Sequence, residues 1–144
     1  MPWRKFLAIF YWAILIYLLF FAFFRQGTNT EINLIPFKSI SELTYNIFVL
    51  GNDWTHWIIN VIGNIVVFIP ILPSMHIIFQ KRISFLFAFL LGMILPILVE
   101  VLQYVFQIGS ADIDDFILNF IGLMLGYFLF SQSINSNFSE PHTV

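Results

Sequence analysis

Long apolar stretches separated by short polar segments dominate the sequence. A helix needs about 20 mostly apolar residues to cross about 30 Å of hydrocarbon. Four stretches approach that length, at residues 6–24, 55–72, 83–107 and 114–130. Pro70 and Pro73 are expected to end the second stretch, because neither can donate an N–H to the helix ladder. The pattern predicts an all-α integral membrane bundle of about four transmembrane helices.

Both ends of the chain need a separate interpretation. Arg4 and Lys5 precede the first stretch, as basic residues do in a signal peptide. That stretch is longer than a typical signal sequence and no small-residue cleavage site follows it, so we expect a retained helix. Residues 131–144 are polar and are expected to form a flexible tail after a transmembrane domain at 1–130.

Composition supports a membrane protein and disfavours soluble classes. Of the 144 residues, 60% are hydrophobic and 10% are charged, against about 45–50% and about 25% in soluble domains. A globule of this size cannot bury that much apolar surface. The net charge of −2 gives no support to nucleic-acid binding. The absence of Cys excludes disulfides, thiolate metal sites and a Cys nucleophile.

Basic residues near the helix ends predict the orientation in the membrane. Four of them fall on one side of the predicted bundle, namely Arg4, Lys5, Lys81 and Arg82. Two fall on the other side among several acids, namely Arg25 and Lys38 beside Glu31, Glu42 and Asp53. The positive-inside rule therefore places both termini in the cytoplasm. The loop at 25–54 and the turn at 108–113 are then expected outside.

The few polar residues in these stretches recur at spacings of three and four. At 100° per residue, such spacings keep side chains on one face of a helix. The stripes are Asp53, His56, Asn60 and Asn64; then Glu100, Gln103 and Gln107; then Asp112, Asp115 and Asn119. Each predicted helix thus has one polar face.

The stripes also reach a common depth. With a rise of about 1.5 Å per residue, Asn64, Glu100 and Asn119 lie about 10, 9 and 8 Å from the same membrane surface. Intramembrane polar groups are costly and usually face a bundle interior or a water-filled cavity. The agreement predicts a single polar cavity, open to the extracytoplasmic side.

Several of these residues also fit a purely structural role. Asn60 and Asn64 suit interhelical hydrogen bonds, and Gly122 and Gly126 form a small-xxx-small packing pair. Glu100 is harder to explain by packing, because a buried carboxylate must be paired, protonated or hydrated. No Lys or Arg is predicted at its depth.

Carboxyl groups gathered in a wet pocket are able to perform general acid–base chemistry. The candidate catalytic residues are therefore Glu100, Asp115 and Asp112. The candidate ligand-binding residues are Asn60, Asn64, Gln103 and Asn119. The two aspartates can also cap the last helix, gate the cavity or hold a hard cation. No metal-binding, phosphate-loop or serine-hydrolase motif is present, so no metal site is predicted and the cofactor is unknown.

Taken together, the motifs resemble those of the VanZ-like family, which is named after the teicoplanin-resistance protein of glycopeptide-resistance clusters. They are Asn33-Leu34-Ile35-Pro36-Phe37, then Asn60, Gly63, Asn64, Phe68 and Pro70, then Glu100 and Gln103, then Asp112, Asp114, Asp115, Asn119, Gly122, Gly126 and Tyr127. One departure is Leu72, which stands before Pro73 where the family usually has glycine.

The resemblance implies a bacterial plasma-membrane protein connected to tolerance of teicoplanin-type antibiotics. The expected partners are the lipid bilayer and a lipid-linked cell-wall precursor in the outer leaflet, but no nucleic acid. In this hypothesis Glu100 is the acid/base or hydrogen-bonding centre. A non-catalytic partner that modulates a cell-wall enzyme or transporter is the alternative, and a homo-oligomer stays open.

Overall fold

A computed structural model describes residues 2–21, 32–51 and 54–136. Its helices and strands, in chain order, are α1 Pro2–Phe20, β1 Ile32–Asn33, α2 Lys38–Phe48, α3 Trp54–Trp57, a π-helical segment Ile58–Gly63, α4 Asn64–Phe68, α5 Ile71–Phe79, α6 Phe85–Val105, β2 Ala111–Asp112 and α7 Ile113–Ser136. Helix is therefore the dominant structure, with one short parallel strand pair.

Four helical stretches within these residues are long and apolar enough to cross a membrane. They are Pro2–Phe20, Trp54–Phe79, Phe85–Val105 and Ile113–Ser131. This confirms the prediction of an all-α bundle with four spans. The ends of the third span lie two residues inside the predicted ends, and Pro96 is accommodated inside that helix.

The second span differs most from its prediction. A turn at Ile69 and Pro70 separates α4 from α5. Pro73, in contrast, lies inside α5, which continues to Phe79. Upstream, Ile58–Gly63 has π-helical hydrogen bonding. There the Asn60 side chain donates 2.7 Å to the His56 carbonyl, which in an α-helix would accept from the backbone N–H of Asn60 itself. The assumption of 100° per residue therefore fails across this segment.

Helix α7 is the centre of the bundle and packs against α4, α5 and α6. Glycines at 122 and 126 allow its backbone to approach the second span closely. A Cβ built at Gly122 would lie 2.2 Å from the Ile65 carbonyl oxygen, and one at Gly126 would lie 2.1 Å from that of Ile69. The small-xxx-small pair is thus a packing device, as its structural interpretation predicted.

Helix α1 packs mainly on α5 and runs antiparallel to the second span. Near its middle, the Tyr11 hydroxyl donates 2.7 Å to the Val67 carbonyl. Near its end, the Leu19 carbonyl accepts 2.9 Å from the Gln103 amide. Arg4 and Lys5 therefore lie at the same end of the bundle as the α5–α6 turn. The acidic residues that begin α7 lie at the opposite end.

The segment between the first two spans is more structured than the predicted loop. It contains β1, which pairs in parallel with β2, and the amphipathic helix α2. At the other end of the chain, α7 continues to Ser136, into the segment predicted as a tail. Arg25, Glu31 and Asp53, together with residues 22–24 and 137–144, lie outside the described residues.

Candidate functional site

Asp112 connects three separate parts of the chain at the start of α7. Its Oδ1 accepts a 2.9 Å hydrogen bond from the Asp114 backbone N–H, which makes it a side-chain cap of this helix. The same oxygen accepts 3.1 Å from Asn33 Nδ2, and Oδ2 accepts from the Ser39 hydroxyl. Asn33 also donates 3.0 Å to Ser39. Strand β1 and helix α2 are thereby fixed onto the last helix.

Asp114 is the residue that holds α2 in place. Its two carboxylate oxygens accept from the backbone N–H groups of Phe37 and Ile40. These groups belong to the first turn of α2, where helix N–H donors have no partner in the helix itself. Phe37 has a left-handed backbone with φ of 64° and supplies no side-chain cap, so a buried carboxylate from α7 takes over that role.

Glu100 lies one layer deeper, on α6, and is buried. Its Oε2 accepts a 3.0 Å hydrogen bond from the Asp112 backbone N–H. The Asp112 and Asp115 carboxyl groups are close enough to interact with Glu100 electrostatically. Among the described residues, no salt bridge to a basic side chain neutralises these three acids. The structure thus brings together all three predicted catalytic candidates.

The second span contributes its amides to the same place. Asn64 Nδ2 donates 2.6 Å to Asp115 Oδ1, so the predicted convergence of these two helices is observed as a direct contact. Asn60 does not contact Asp115 through a hydrogen bond, because its amide nitrogen turns back to the His56 carbonyl. It does share a cavity with Asp115.

Among the described residues, two cavities of different character adjoin the acids, and the single polar cavity open to the extracytoplasmic side stays a prediction. One has a volume of about 260 Å³ and is polar; its walls are Ser39, Glu42, Leu43, Asn46, Asn60, Ser110, Asp112 and Asp115. The other has about 190 Å³ and is apolar apart from two acids; its walls are Leu34, Ile97, Glu100, Val101, Ala111, Asp112, Ile113 and Phe116. Asp112 borders both. We call them the polar cavity and the apolar crevice.

The apolar crevice faces the side of the bundle rather than its interior. Two of its wall residues, Ile97 and Val101, are each half exposed on the outward face of α6. Leu34, at 72% exposure, is the most exposed large apolar side chain described. It lies in the motif segment 33–37, next to the turn at Pro36. In a bilayer, acyl chains would surround this opening.

Two predicted ligand-binding residues are placed differently from Asn60 and Asn64. Gln103 points to α1, where it donates to the Leu19 carbonyl, and it lies against Gly109. It holds two helices together and we leave it out of the proposed site. Asn119 is 2% exposed, and its Oδ1 has no hydrogen-bond partner among the described residues. It lies one helical turn beyond Asp115 on the same face of α7.

Sequence reasoning did not single out Asn33, Ser39 or Asp114 for the site. Asn33 and Asp114 entered the sequence analysis only as members of the family motifs. The sequence signal that could have identified Asn33 and Ser39 is the recurrence of short polar side chains on both sides of Pro36. No group of three or more His, Asp or Glu side chains in the described part of the chain is arranged to hold a metal ion.

Comparison with known proteins agrees with this architecture. The profile of the VanZ/LLP1 family matches residues 7–135. Protein VanZ from Enterococcus faecium is 38% identical over 72 residues, which is 50% of this chain and 44% of that protein. The match therefore spans less than half of the relative's length. No solved structure matches the chain.

The family match covers most of the first span, all of the other three, and the acidic cluster of Glu100, Asp112 and Asp115. The chain is a multi-pass membrane protein, and it belongs to the VanZ/LLP1 family.

Proposed function

We propose that this protein binds an amphipathic lipid of the cell envelope, or a lipid-linked cell-wall precursor, at the cluster of Glu100, Asp112 and Asp115. The polar head would occupy the polar cavity and the first part of the chain would occupy the apolar crevice. Glu100 would serve as the acid/base or hydrogen-bonding centre. Resistance to teicoplanin-type glycopeptides would be the cellular consequence.

The observation that supports this proposal is the position of Asp112 between a polar and an apolar cavity. A soluble polar substrate has no use for a crevice walled by Leu34, Ile97, Val101 and Phe116. A lipid without a sizeable head has no use for a cavity walled by carboxylates and amides. An amphiphile fits both, because binding sites pair apolar walls with a few placed polar groups.

The described amides give such a head specific partners. Asn60 borders the polar cavity, and Asn64 orients the Asp115 carboxyl group. The buried Asn119 oxygen is an acceptor that has no partner among the described residues. An unpaired buried acceptor is costly. Asn119 is not a wall residue of either cavity, so a head would donate to it only by reaching one helical turn beyond Asp115. Hydroxyl and amide groups, as in sugars and peptides, are donors of this kind.

We place this site at the extracytoplasmic surface. The support is the distribution of basic residues: Arg4, Lys5, Lys81 and Arg82 lie at the end opposite the acidic cluster, and basic residues favour the cytoplasmic side. Cysteines introduced at Ser110 and at Trp3 test this. An impermeant thiol reagent applied to intact cells should label Ser110→Cys and leave Trp3→Cys unlabelled. The reverse labelling pattern would place the site on the cytoplasmic side of the membrane.

The decisive variant is Glu100→Gln, which keeps the size of the side chain and removes the carboxylate. Expressed in a glycopeptide-susceptible strain, it should lose any protection against teicoplanin that the parent protein gives. Lipid retained by the purified protein, measured by mass spectrometry after detergent washing, should fall in parallel. Thermal unfolding in detergent is measured for both proteins, so that loss of fold is recognised.

A matched control is Gln103→Leu, one turn away on the same helix. It removes a buried hydrogen bond to Leu19, which lies outside the proposed site. We expect it to lower stability while lipid retention and protection persist. If Glu100→Gln stays folded with protection and retained lipid unchanged, the proposal fails. If harmful substitutions instead map to the lipid-facing surface, a non-catalytic partner role replaces it.

A further inference from the structure

We propose that the cavity at the α5–α6 turn is a second lipid site, which binds one acidic phospholipid by its phosphate and the upper part of an acyl chain. This site lies at the end of the bundle opposite the acidic cluster and is independent of the proposed function. It occupies about 710 Å³. That volume is within the range of built small-molecule sites and far larger than a phosphate ion needs.

The cavity combines basic and apolar walls. Lys81 and Arg82 supply the charge, and Ser84 lies beside them at the start of α6. Met75, Phe79 and Phe87 supply the apolar surface. Phe79 is 61% exposed and Phe87 is 45% exposed, so this surface is continuous with the bilayer around the bundle. A chain can therefore enter from the side while the phosphate meets the basic pair.

The turn that presents the basic pair is held in a defined conformation. The buried His76 ring is 2.9 Å from the Lys81 carbonyl through Nδ1. Since a carbonyl oxygen only accepts, Nδ1 is the donor. Gln80 takes a left-handed backbone with φ of 55° and closes α5 through a 2.8 Å bond to the His76 carbonyl. Lys81 and Arg82 thus follow a fixed helix end.

Electrostatics at this end favour a negative headgroup. Four of the six Lys and Arg residues of the chain lie here, as the antiparallel packing of α1 shows. The N-terminus of the 21-residue helix α6 adds a positive dipole end at Ser84. Basic pockets between transmembrane helices bind anionic lipid headgroups. An acidic phospholipid is therefore the occupant whose charge and apolar chain match both kinds of wall.

The test compares lipid binding by the full chain in phosphatidylcholine nanodiscs doped with phosphatidylglycerol, read by native mass spectrometry. Lys81→Gln/Arg82→Gln should weaken phosphatidylglycerol binding about thirtyfold, because each basic side chain contributes about a factor of five. The matched control is Arg4→Gln/Lys5→Gln, which removes the same charge at the same end but outside the cavity. It should retain the bound lipid.

A second variant tests the apolar wall. Phe87→Glu places a negative charge in the cavity at a partly exposed position, so the fold should persist while phosphatidylglycerol is lost; Phe87→Gln is its uncharged control. Soluble glycerol 3-phosphate should not displace the lipid, whereas short-chain phosphatidylglycerol should.

Three results would overturn the proposal. Equal losses in the two double variants would mean general surface attraction. Full displacement by glycerol 3-phosphate would mean a site for free phosphate esters. If phosphatidylglycerol binds no better than phosphatidylcholine, the cavity is not a site for acidic phospholipid.

Discussion

Replacing Gly122 with alanine tests whether the packing of α7 creates the acidic site. The added Cβ would lie 2.2 Å from the Ile65 carbonyl oxygen, whereas ordinary contact begins at 3.4 Å. The helices must therefore separate by about 1.2 Å, the difference between these distances. A rigid shift of α7 by that amount along the bond direction would lengthen the 2.6 Å bond between Asn64 and Asp115 to about 3.8 Å, too long for a hydrogen bond.

The energetic cost follows from the same contact. Overpacking costs about 1–3 kcal/mol, and the lost hydrogen bond adds about 1 kcal/mol. Replacing glycine by alanine in a helix stabilises the helix by up to about 1 kcal/mol, which offsets part of this cost. We expect Gly122→Ala to lose about 1–3 kcal/mol of unfolding free energy, measured by denaturant titration in detergent micelles. The control is Gly63→Ala, whose Cβ would lie 3.8 Å from the Ile58 carbonyl and should be tolerated.

A double-mutant cycle connects this cost to the site. Asn64→Ala should destabilise the parent protein but add little to Gly122→Ala, since the bond it removes is already broken. Equal stability of Gly122→Ala and Gly63→Ala would show that the close approach of α7 is not tight. An equal cost of Asn64→Ala in both backgrounds would show that the packing of α7 does not position Asp115.

Two further substitutions should change the free energy of unfolding in opposite directions. Asp114→Asn leaves a backbone N–H of Phe37 or Ile40 without its carboxylate acceptor, so the free energy of unfolding should fall by about 1–3 kcal/mol. Hydrogen exchange should accelerate at these two amides before it does in the rest of the bundle. Unchanged exchange would contradict the capping role of Asp114. Asn119→Leu removes a buried oxygen that has no partner among the described residues. The free energy of unfolding without lipid should therefore stay equal or rise, while the amount of retained lipid falls. A clear loss of stability would show that this oxygen is already hydrogen-bonded.

The spans and their packing were predictable because they depend on local composition and spacing. Long apolar stretches fix the helices, and glycines at 122 and 126 mark the closest approach. Spacing also predicted that the polar faces of these two helices converge. By depth it set Asn64 level with Asn119, whereas in the structure Asn64 bonds to Asp115, one turn nearer the start of α7. Such patterns constrain a face and a depth.

The remaining features depend on contacts that spacing does not encode. Gln103 lies one turn from Glu100 on the same face of α6, yet its amide donates to the Leu19 carbonyl on α1. The π-helical segment changes the angular relation of Asn60 and Asn64. Asp114 caps a helix more than seventy residues earlier in the chain, and only the folded chain brings these groups together. The separation into two cavities likewise depends on where the segment 33–37 lies.

Photo-crosslinking from the two cavities tests whether one amphiphile occupies both of them. A photoreactive amino acid is placed at Val101, on the apolar crevice, or at Ser110, on the polar cavity. The crosslinked adducts from living cells are then identified by mass spectrometry. Both positions should trap one and the same amphiphile, Val101 through its chain and Ser110 through its head, and Glu100→Gln should diminish both adducts. Bulk phospholipid at Val101 with no adduct at Ser110, or two unrelated molecules, would contradict this prediction.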